Sequence, residues 1–170
     1  MMKTGTKILF FLSILLVSLP AFGQIATTQR ERNERSNIHN RLNWTKNQAN
    51  RKFDIQNSEI KKVFAEIQEA IKSKDIGTIS KHLKAQTYLN LPNGISGYYS
   101  ANQAYFVLED FLKKYRVVSF KFDEINVNTL NPFATGVYNY ELKGRRNSVH
   151  IYIQIRESSN NWTITQITTN

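Results

Sequence analysis

The sequence predicts an α+β fold in which helices pack on one face of an antiparallel sheet. Residues 60–71 and 101–115 carry apolar side chains at helical spacing, whereas residues 117–169 alternate apolar and polar side chains. Short turns join the alternating segments, so neighbouring strands must run antiparallel. The predicted order is α-α-β-β-α-β-β-β-β, with the helices segregated from the strands, as in α+β proteins.

The N-terminus of the chain has the pattern of a secretory signal peptide that ends at residue 23. Lys3 and Lys7 precede the apolar run of residues 8–19, which is shorter than the ~20 residues that span a bilayer. Small residues follow, and cleavage is expected between Gly23 and Gln24. We therefore expect an exported protein, periplasmic or secreted, with no transmembrane segment after cleavage. The alternative is an uncleaved anchor.

The next segment, residues 24–58, is basic and polar. It holds seven basic and three acidic residues. Because it has few apolar residues to bury against the entropic cost of ordering, the composition predicts disorder. Ile38, Leu42, Ala49 and Phe53 are spaced by four, seven and four, so a weak amphipathic helix that forms on contact with a partner is the alternative.

Charge and cysteine content bound the function. The formal charge is +10, and there is no cysteine. A basic surface favours anionic partners such as an anionic envelope surface, and export argues against nucleic acid. The alternative is a basic protein whose charge serves no partner. Without cysteine, the chain has no disulfide, thiolate metal site or thiol nucleophile.

Residues 59–170 form the predicted single domain. Asn57 and Ser58 are residue types that cap helices, so the first helix is expected to begin there and to run to about Ser73. A short second helix and two short strands follow. Ser100 is the expected cap of the third helix, whose aromatic and aliphatic stripe faces the core.

Four longer strands complete the domain. A slip in the apolar phase between Phe122 and Ile125 predicts a bulge at residues 123–124. In the strand at residues 149–156 the face expected to meet the helices carries no Asp, Glu or His. His150 falls on the opposite face.

Three stretches of the domain carry a family resemblance: DIGTISKHLKAQTYLNL, YSANQAYFVLEDFLKKY and VHIYIQIRE. Together they resemble the exported bacterial family called domain of unknown function 4783, over about residues 60–170. The order of elements resembles the nuclear transport factor 2-like fold, a curved sheet wrapped around helices to form a cone. The resemblance implies that cone and no activity. Segment 24–58 lies outside it, and the loop at residues 128–132 is longer than the family pattern.

Candidate ligand contacts are few. We expect Tyr88, Tyr105, Asp110 and Phe111 to lie near a cavity, with Asp110 at its mouth, although a solvent-facing role for Asp110 is the simpler interpretation. His82 lies between lysines and is expected at the surface. The three histidines lack metal-ligand spacing, and no phosphate loop or nucleophile elbow is present. The sequence therefore predicts no catalytic residue, metal or cofactor.

Tyrosines suggest an interaction surface. If Val137 points inward, then Tyr138, Tyr140 and Tyr152 form an exposed ladder on the outer face of the sheet. Tyrosine suits such surfaces because it joins an apolar ring to a polar tip. The alternative is ordinary cross-strand packing.

Three functional hypotheses follow. The first is a non-catalytic exported binding module for a small apolar ligand or a protein partner, including a second copy through the sheet. The second is a cone-fold enzyme acting on a small apolar substrate. The third is attachment to an anionic envelope surface through the basic segment 24–58, which salt would weaken.

Overall fold

The computed structural model describes residues 21–170, and it describes side chains from residue 28 onward except that of residue 85. Three helices and six strands are arranged in the predicted order. The helices are α1 (Ala21–Ser73), α2 (Ile76–Lys81) and α3 (Ala101–Lys114); the strands are β1 (Leu83–Asn90), β2 (Ser96–Tyr99), β3 (Arg116–Asn126), β4 (Phe133–Leu142), β5 (Arg145–Ser158) and β6 (Asn161–Thr169). The predicted α+β class is confirmed.

The six strands form one curved, open sheet in the order β2-β1-β6-β5-β4-β3. Strands β3 to β6 pair antiparallel with their sequence neighbours, as the short turns require. Strand β1 pairs antiparallel with β2 but parallel with β6. This parallel pair joins β1, near the start of the domain, to the last strand β6. No local sequence pattern predicts it.

Helix α1 corrects the prediction for segment 24–58. The structure places residues 21–73 in one helix, so that segment is helical rather than disordered. The helix does not begin at Asn57 or Ser58; the Ser58 hydroxyl donates to the Ile55 carbonyl inside the helix. The physical reason is that the sequence contains no Gly or Pro between Gln24 and Ser73, so no helix-breaking residue interrupts the helix before its end. Side chains 28–55 are exposed throughout.

The chain divides into two units, one ending at Ala49 and one running from Asn50 to Asn170. The second unit contains the whole sheet. The predicted signal peptide lies outside the described residues up to residue 20, and the predicted cleavage site between Gly23 and Gln24 lies where only the backbone is described.

Helix ends in the second unit follow local rules. Lys74 has a positive φ of 58° after α1, and the Asp75 amide donates to the Ala70 carbonyl, which closes the last turn. Asp75 then caps α2 by accepting from the Thr78 amide at 3.0 Å. The pKa of Asp75 is lowered, chiefly by the hydrogen bond from the Thr78 hydroxyl.

Helix α3 begins with the expected Ser100 cap. Ser100 and Gln103 form a reciprocal capping box, in which each side chain bonds the backbone of the other. The cap fixes the start of the helix, so the stripe of α3 lies against the sheet, with Ala104, Leu108 and Phe111 buried.

Strand β3 contains the predicted bulge, since its register with β4 shifts between Phe122 and Glu124. Opposite it, Gly136 lies so close to β3 that a Cβ atom would be 2.2 Å from the Lys121 carbonyl oxygen. Gly136 therefore permits a close approach of two backbones that any other residue would block.

The core of the second unit lies between the helices and the inner face of the sheet. Helix α1 contributes Ile60, Phe64 and Ile67, each at most 2% exposed. Isoleucines of β5 and β6 close the core from the other side, including Ile153 and Ile164. The predicted inward face of β5 is thus confirmed.

Candidate functional site

The inner face of the sheet is covered by a cluster of aromatic rings. Phe111 of α3 stacks on Tyr115 with ring centroids 5.0 Å apart and lies 5.5 Å from Tyr138 of β4. Phe120 and Tyr140 contact the same Tyr138 ring. The Tyr138 hydroxyl donates to the Tyr115 carbonyl, so its polar tip is satisfied inside the core. The stripe of α3 fills the concave side of the sheet.

The buried environment of Tyr138 favours the protonated form of its phenol. Burial raises the pKa of Tyr138 well above its ordinary value, and the neighbouring Tyr140 adds to the rise. The hydroxyl is therefore protonated at neutral pH and already donates its hydrogen to a carbonyl. Its role in the core is structural.

A small internal cavity lies between the helices and the sheet of the second unit. Its volume is about 20 Å³, and it is lined by isoleucines, leucines and Phe111 from α1, α2, α3, β5 and β6. Pockets for small organic ligands usually measure about 300–1,000 Å³. A void of this size has room for one water molecule, but its lining offers no polar partner. This cavity therefore does not hold a substrate-sized ligand.

The four predicted ligand contacts do not line one cavity. Phe111 is buried in the core and borders the small void. Tyr105 is half-buried and packs edge-on against exposed Phe106, with centroids 5.3 Å apart. Asp110 is exposed, as its simpler interpretation holds. Tyr88 lies on the other face of the sheet, with its hydroxyl 3.2 Å from the Ser96 hydroxyl.

The predicted tyrosine ladder is wrong for two of its three members. Tyr138 and Tyr140 are buried, at 0% and 8% exposure, because the phase of β4 is opposite to the predicted one. Val137 points outward, where it pairs with exposed His150. Tyr152 alone lies on the outer face, half-buried.

The outer face instead carries a different band of side chains, which we call the outer tyrosine face. Its members are cross-strand neighbours on five strands, on the side of the sheet opposite the core. They are Tyr98 of β2, Tyr88 of β1, Gln166 and Thr168 of β6, Tyr152 and Gln154 of β5, and Phe133 and Thr135 of β4.

Contacts within the outer tyrosine face hold its rings in place. Phe133 stacks on Tyr152 at 5.3 Å with 26° between the ring planes. The Gln154 amide donates to the Tyr152 hydroxyl at 3.0 Å. Tyr88 and Tyr98 lie 5.1 Å apart, and Tyr98 is 72% exposed. The rings are positioned by their neighbours, while Tyr98 keeps most of its surface in solvent.

The outer tyrosine face is made of residue types without formal charge. Charged side chains lie around it: Lys121 and Glu124 on β3, and Arg156 further along β5, where its guanidinium donates to Asn131 at 2.9 Å. A basic chain thus presents an uncharged, tyrosine-bearing band on its sheet. Such a band has the composition of a protein interface core, where charges are depleted and tyrosine is enriched.

His82 lies inside the domain rather than at the surface as predicted. Its side chain is 12% exposed and touches α1 and β6. Nδ1 lies 3.2 Å from the Trp162 carbonyl oxygen, while Nε2 is 3.5 Å from a Glu66 carboxylate oxygen and has no hydrogen bond among the described residues. His82 therefore packs between α1 and β6, whereas its neighbouring lysines in the sequence had indicated a surface position.

No group of three or more His, Asp or Glu side chains in residues 21–170 could hold a metal ion. No helix within the same residues is long and apolar enough to cross a membrane.

Comparison with known families gives one match. Residues 64–170 match the family described as Domain of unknown function (DUF4783). This match covers most of the chain. The protein belongs to the DUF4783 family. A comparison with curated proteins finds no match.

Solved structures of DUF4783 proteins share the fold. The chain is 18% identical to one from Bacteroides uniformis, with a TM-score of 0.56 over 62% of this chain and 94% of that one. A second, from Bacteroides ovatus, is also 18% identical, with a TM-score of 0.54 over 62% and 91%. An NTF2-like protein from Cytophaga hutchinsonii is 12% identical, with a TM-score of 0.52 over 68% and 97%. The nuclear transport factor 2-like fold is confirmed.

The DUF4783 match contains the outer tyrosine face and His82 but not the basic segment 24–58. The sequence held a signal for the correct phase of β4 that the prediction missed. Val137 shares its phase with Asn139 and Glu141, which are costly to bury, whereas Tyr138 shares its phase with Gly136 and Ala134. The polar residues required the odd-numbered side chains to face outward.

Proposed function

We propose that this protein is an exported, non-catalytic binding module that associates with protein through its outer tyrosine face. A second copy of the chain is the first partner to consider. The observation that carries the proposal is the charge-free band of Tyr88, Tyr98 and Tyr152 with their neighbours on a chain of formal charge +10.

Charge favours a contact between two copies at this band. Two basic chains repel one another wherever cations face cations. That repulsion is smallest where neither surface carries a charge. The half-buried Phe133 and Tyr152 are already fixed by stacking, so less side-chain entropy is lost when a partner covers them.

The filled concave side argues against a small ligand bound inside the cone. The interior cavity of about 20 Å³ is far below substrate size. The enzyme hypothesis needs an acid or base facing such a cavity, and its inner tyrosine Tyr138 is held protonated in the core.

The test is the oligomeric state of the chain without its predicted signal peptide, measured by light scattering across a range of concentrations. Gln166→Arg places a cation at the centre of the outer tyrosine face, on β6 between Tyr88 and Gln154, and should convert a dimer into a monomer. Asn128→Arg adds the same charge in an exposed loop and should leave the dimer intact. A wild-type chain that is monomeric throughout would contradict self-association.

Native mass spectrometry separates the small-ligand alternative. An extra small mass that is retained both by the wild-type chain and by Gln166→Arg would favour a ligand carrier. The proposal expects the mass of the protein alone.

A further inference from the structure

The unit that ends at Ala49 presents a basic surface on α1. Arg35, Ile38, Arg41, Leu42 and Lys46 follow one another at spacings of three, three, one and four, which places them on one side of the helix. All five are exposed, and the two apolar members are 57% and 62% exposed. We call these five residues the basic helix face.

The positive charge of the basic helix face exceeds the acidic charge beside it, which comes from Glu31 and Glu34 within about one turn of Arg35 toward the N-terminus. The sequence contains no acidic residue between Arg35 and Ala49. Within the described residues, Arg35, Arg41 and Lys46 form no ion pair; the nearest pair toward the N-terminus joins Arg30 and Glu34 at 3.5 Å. The three cations are therefore available to an anionic partner.

We propose that the basic helix face docks this protein on a bilayer surface that contains anionic phospholipids. A helix lying in the plane of the surface places Ile38 and Leu42 at the boundary between headgroups and acyl chains. Arg35, Arg41 and Lys46 flank these two residues, and their long side chains reach lipid phosphates at the same depth. Charge complementarity is the basis of the proposal.

A partner helix fits the same face less well. A helix–helix seam needs apolar residues repeated over three to four heptads. After Ile38 and Leu42 the same side of α1 continues with Thr45 and Ala49, which are polar and small. A second copy would bring like charges together. A lipid surface needs no matching seam, and each added cation strengthens its attraction.

The first experiment is flotation of the chain, without its predicted signal peptide, with vesicles of two compositions. Vesicles of phosphatidylcholine mixed with phosphatidylglycerol should carry the protein upward, whereas vesicles of phosphatidylcholine alone should not. Binding should weaken steeply as salt is added, because screening acts on exposed charges. Equal binding to both compositions, or to neither, would overturn the proposal.

Variants locate the binding on the helix. Replacing Arg35, Arg41 and Lys46 together by Gln, which keeps helix propensity, should lower affinity for the anionic vesicles roughly a hundredfold, since each cation near such a surface is worth about a factor of five. The matched control replaces three exposed cations of the second unit by Gln: Lys143, Arg145 and Arg146. The control should bind like the wild type.

Two outcomes would sink the idea. An equal loss in both triple variants would mean that net charge alone drives binding, without a dedicated face. Leu42→Gln should also reduce vesicle binding several-fold, because it removes an apolar contact with the bilayer. Heparin, a soluble polyanion, serves as a competitor at the same total negative charge as the vesicles. If Leu42→Gln binds like the wild type and heparin competes with the vesicles, the face is a general polyanion site and not a bilayer site.

Discussion

The two faces of strands β4 and β5 both carry tyrosines, but one face is buried in the core and the other is partly exposed to solvent. On the inner face Tyr138 is fully buried, with its hydroxyl bonded to the Tyr115 carbonyl. On the outer face Tyr152 is half-buried, with its hydroxyl accepting from Gln154. Both tyrosines stack on another aromatic ring. Residue type therefore does not separate core from surface in this sheet.

The two faces differ in the residues that surround each tyrosine. Tyr138 shares its face with Gly136 and Ala134 and packs against α3, whereas Tyr152 shares its face with threonines, glutamines and His150. On the inner face the aromatic surface is buried and stabilises the core. On the outer face part of the aromatic surface stays accessible to solvent, and that part is available for binding.

The largest expected loss of stability comes from removing the ring of Tyr138 on the inner face. Tyr138→Ala should lower the free energy of unfolding by about 3–5 kcal/mol, because it opens a cavity in the aromatic cluster and strips the Tyr115 carbonyl of its donor. Urea unfolding followed by circular dichroism measures the loss. A loss below about 1 kcal/mol would mean that the inner cluster is loosely packed.

A smaller effect is expected where the inner face depends on glycine. Gly136→Ala would put a Cβ atom 2.2 Å from the Lys121 carbonyl oxygen, so β3 and β4 must move apart at a cost of about 1–3 kcal/mol. Val137→Ala, the next residue on the outer face, is the control and should cost less. Equal unfolding midpoints for the glycine variant and wild type would show that the strands separate freely.

The fold was predictable because it follows from repeated local signals. The stripe of α3, the Ser100 cap and the bulge near Asp123 each arise from residues close in sequence. The parallel contact of β1 with β6 was not predictable, since it joins distant segments without a local pattern. The helix over segment 24–58 was missed because low apolar content indicated disorder, although no Gly or Pro interrupts it.

Alkaline pH should further distinguish the contributions of Tyr138 and Tyr152 to stability. At neutral pH Tyr138→Phe should destabilise by about 1–2 kcal/mol, because the Tyr115 carbonyl loses its donor. The pKa of Tyr138 is higher in the folded chain than the unfolded value of about 10, so the unfolded chain ionises first as pH rises. The folded state therefore keeps its full stability below that value and loses stability above it. The variant lacks this loss, so its deficit should shrink at high pH.

Unfolding midpoints of wild type and Tyr138→Phe, measured at neutral and at alkaline pH, check this expectation. Tyr152→Phe serves as the control on the outer face. A deficit of Tyr138→Phe that stays constant with pH would show that the inner hydroxyl ionises as readily in the folded as in the unfolded chain.

The candidate site was less predictable than the fold because it depends on strand phase. A shift of one residue in β4 exchanges Tyr138 for Val137 and reverses which side chains meet a partner. The sequence prediction followed Val137 inward and so placed Tyr138 and Tyr140 outside. It also assigned Tyr88 to a pocket, whereas pairing with Tyr98 puts it on the outer face.

The smallest expected effect on stability belongs to the outer face. Tyr152→Ala should lower the free energy of unfolding by only about 0.2–1 kcal/mol, because it removes a cross-strand stack on Phe133 and opens no core cavity. The same variant should weaken self-association, measured by light scattering, since it removes a ring from the outer tyrosine face. Phe106→Ala, which removes an exposed ring from α3, is the control and should change neither. A stability loss as large as that of Tyr138→Ala would show that Tyr152 belongs to the core and that the two faces do not differ in role.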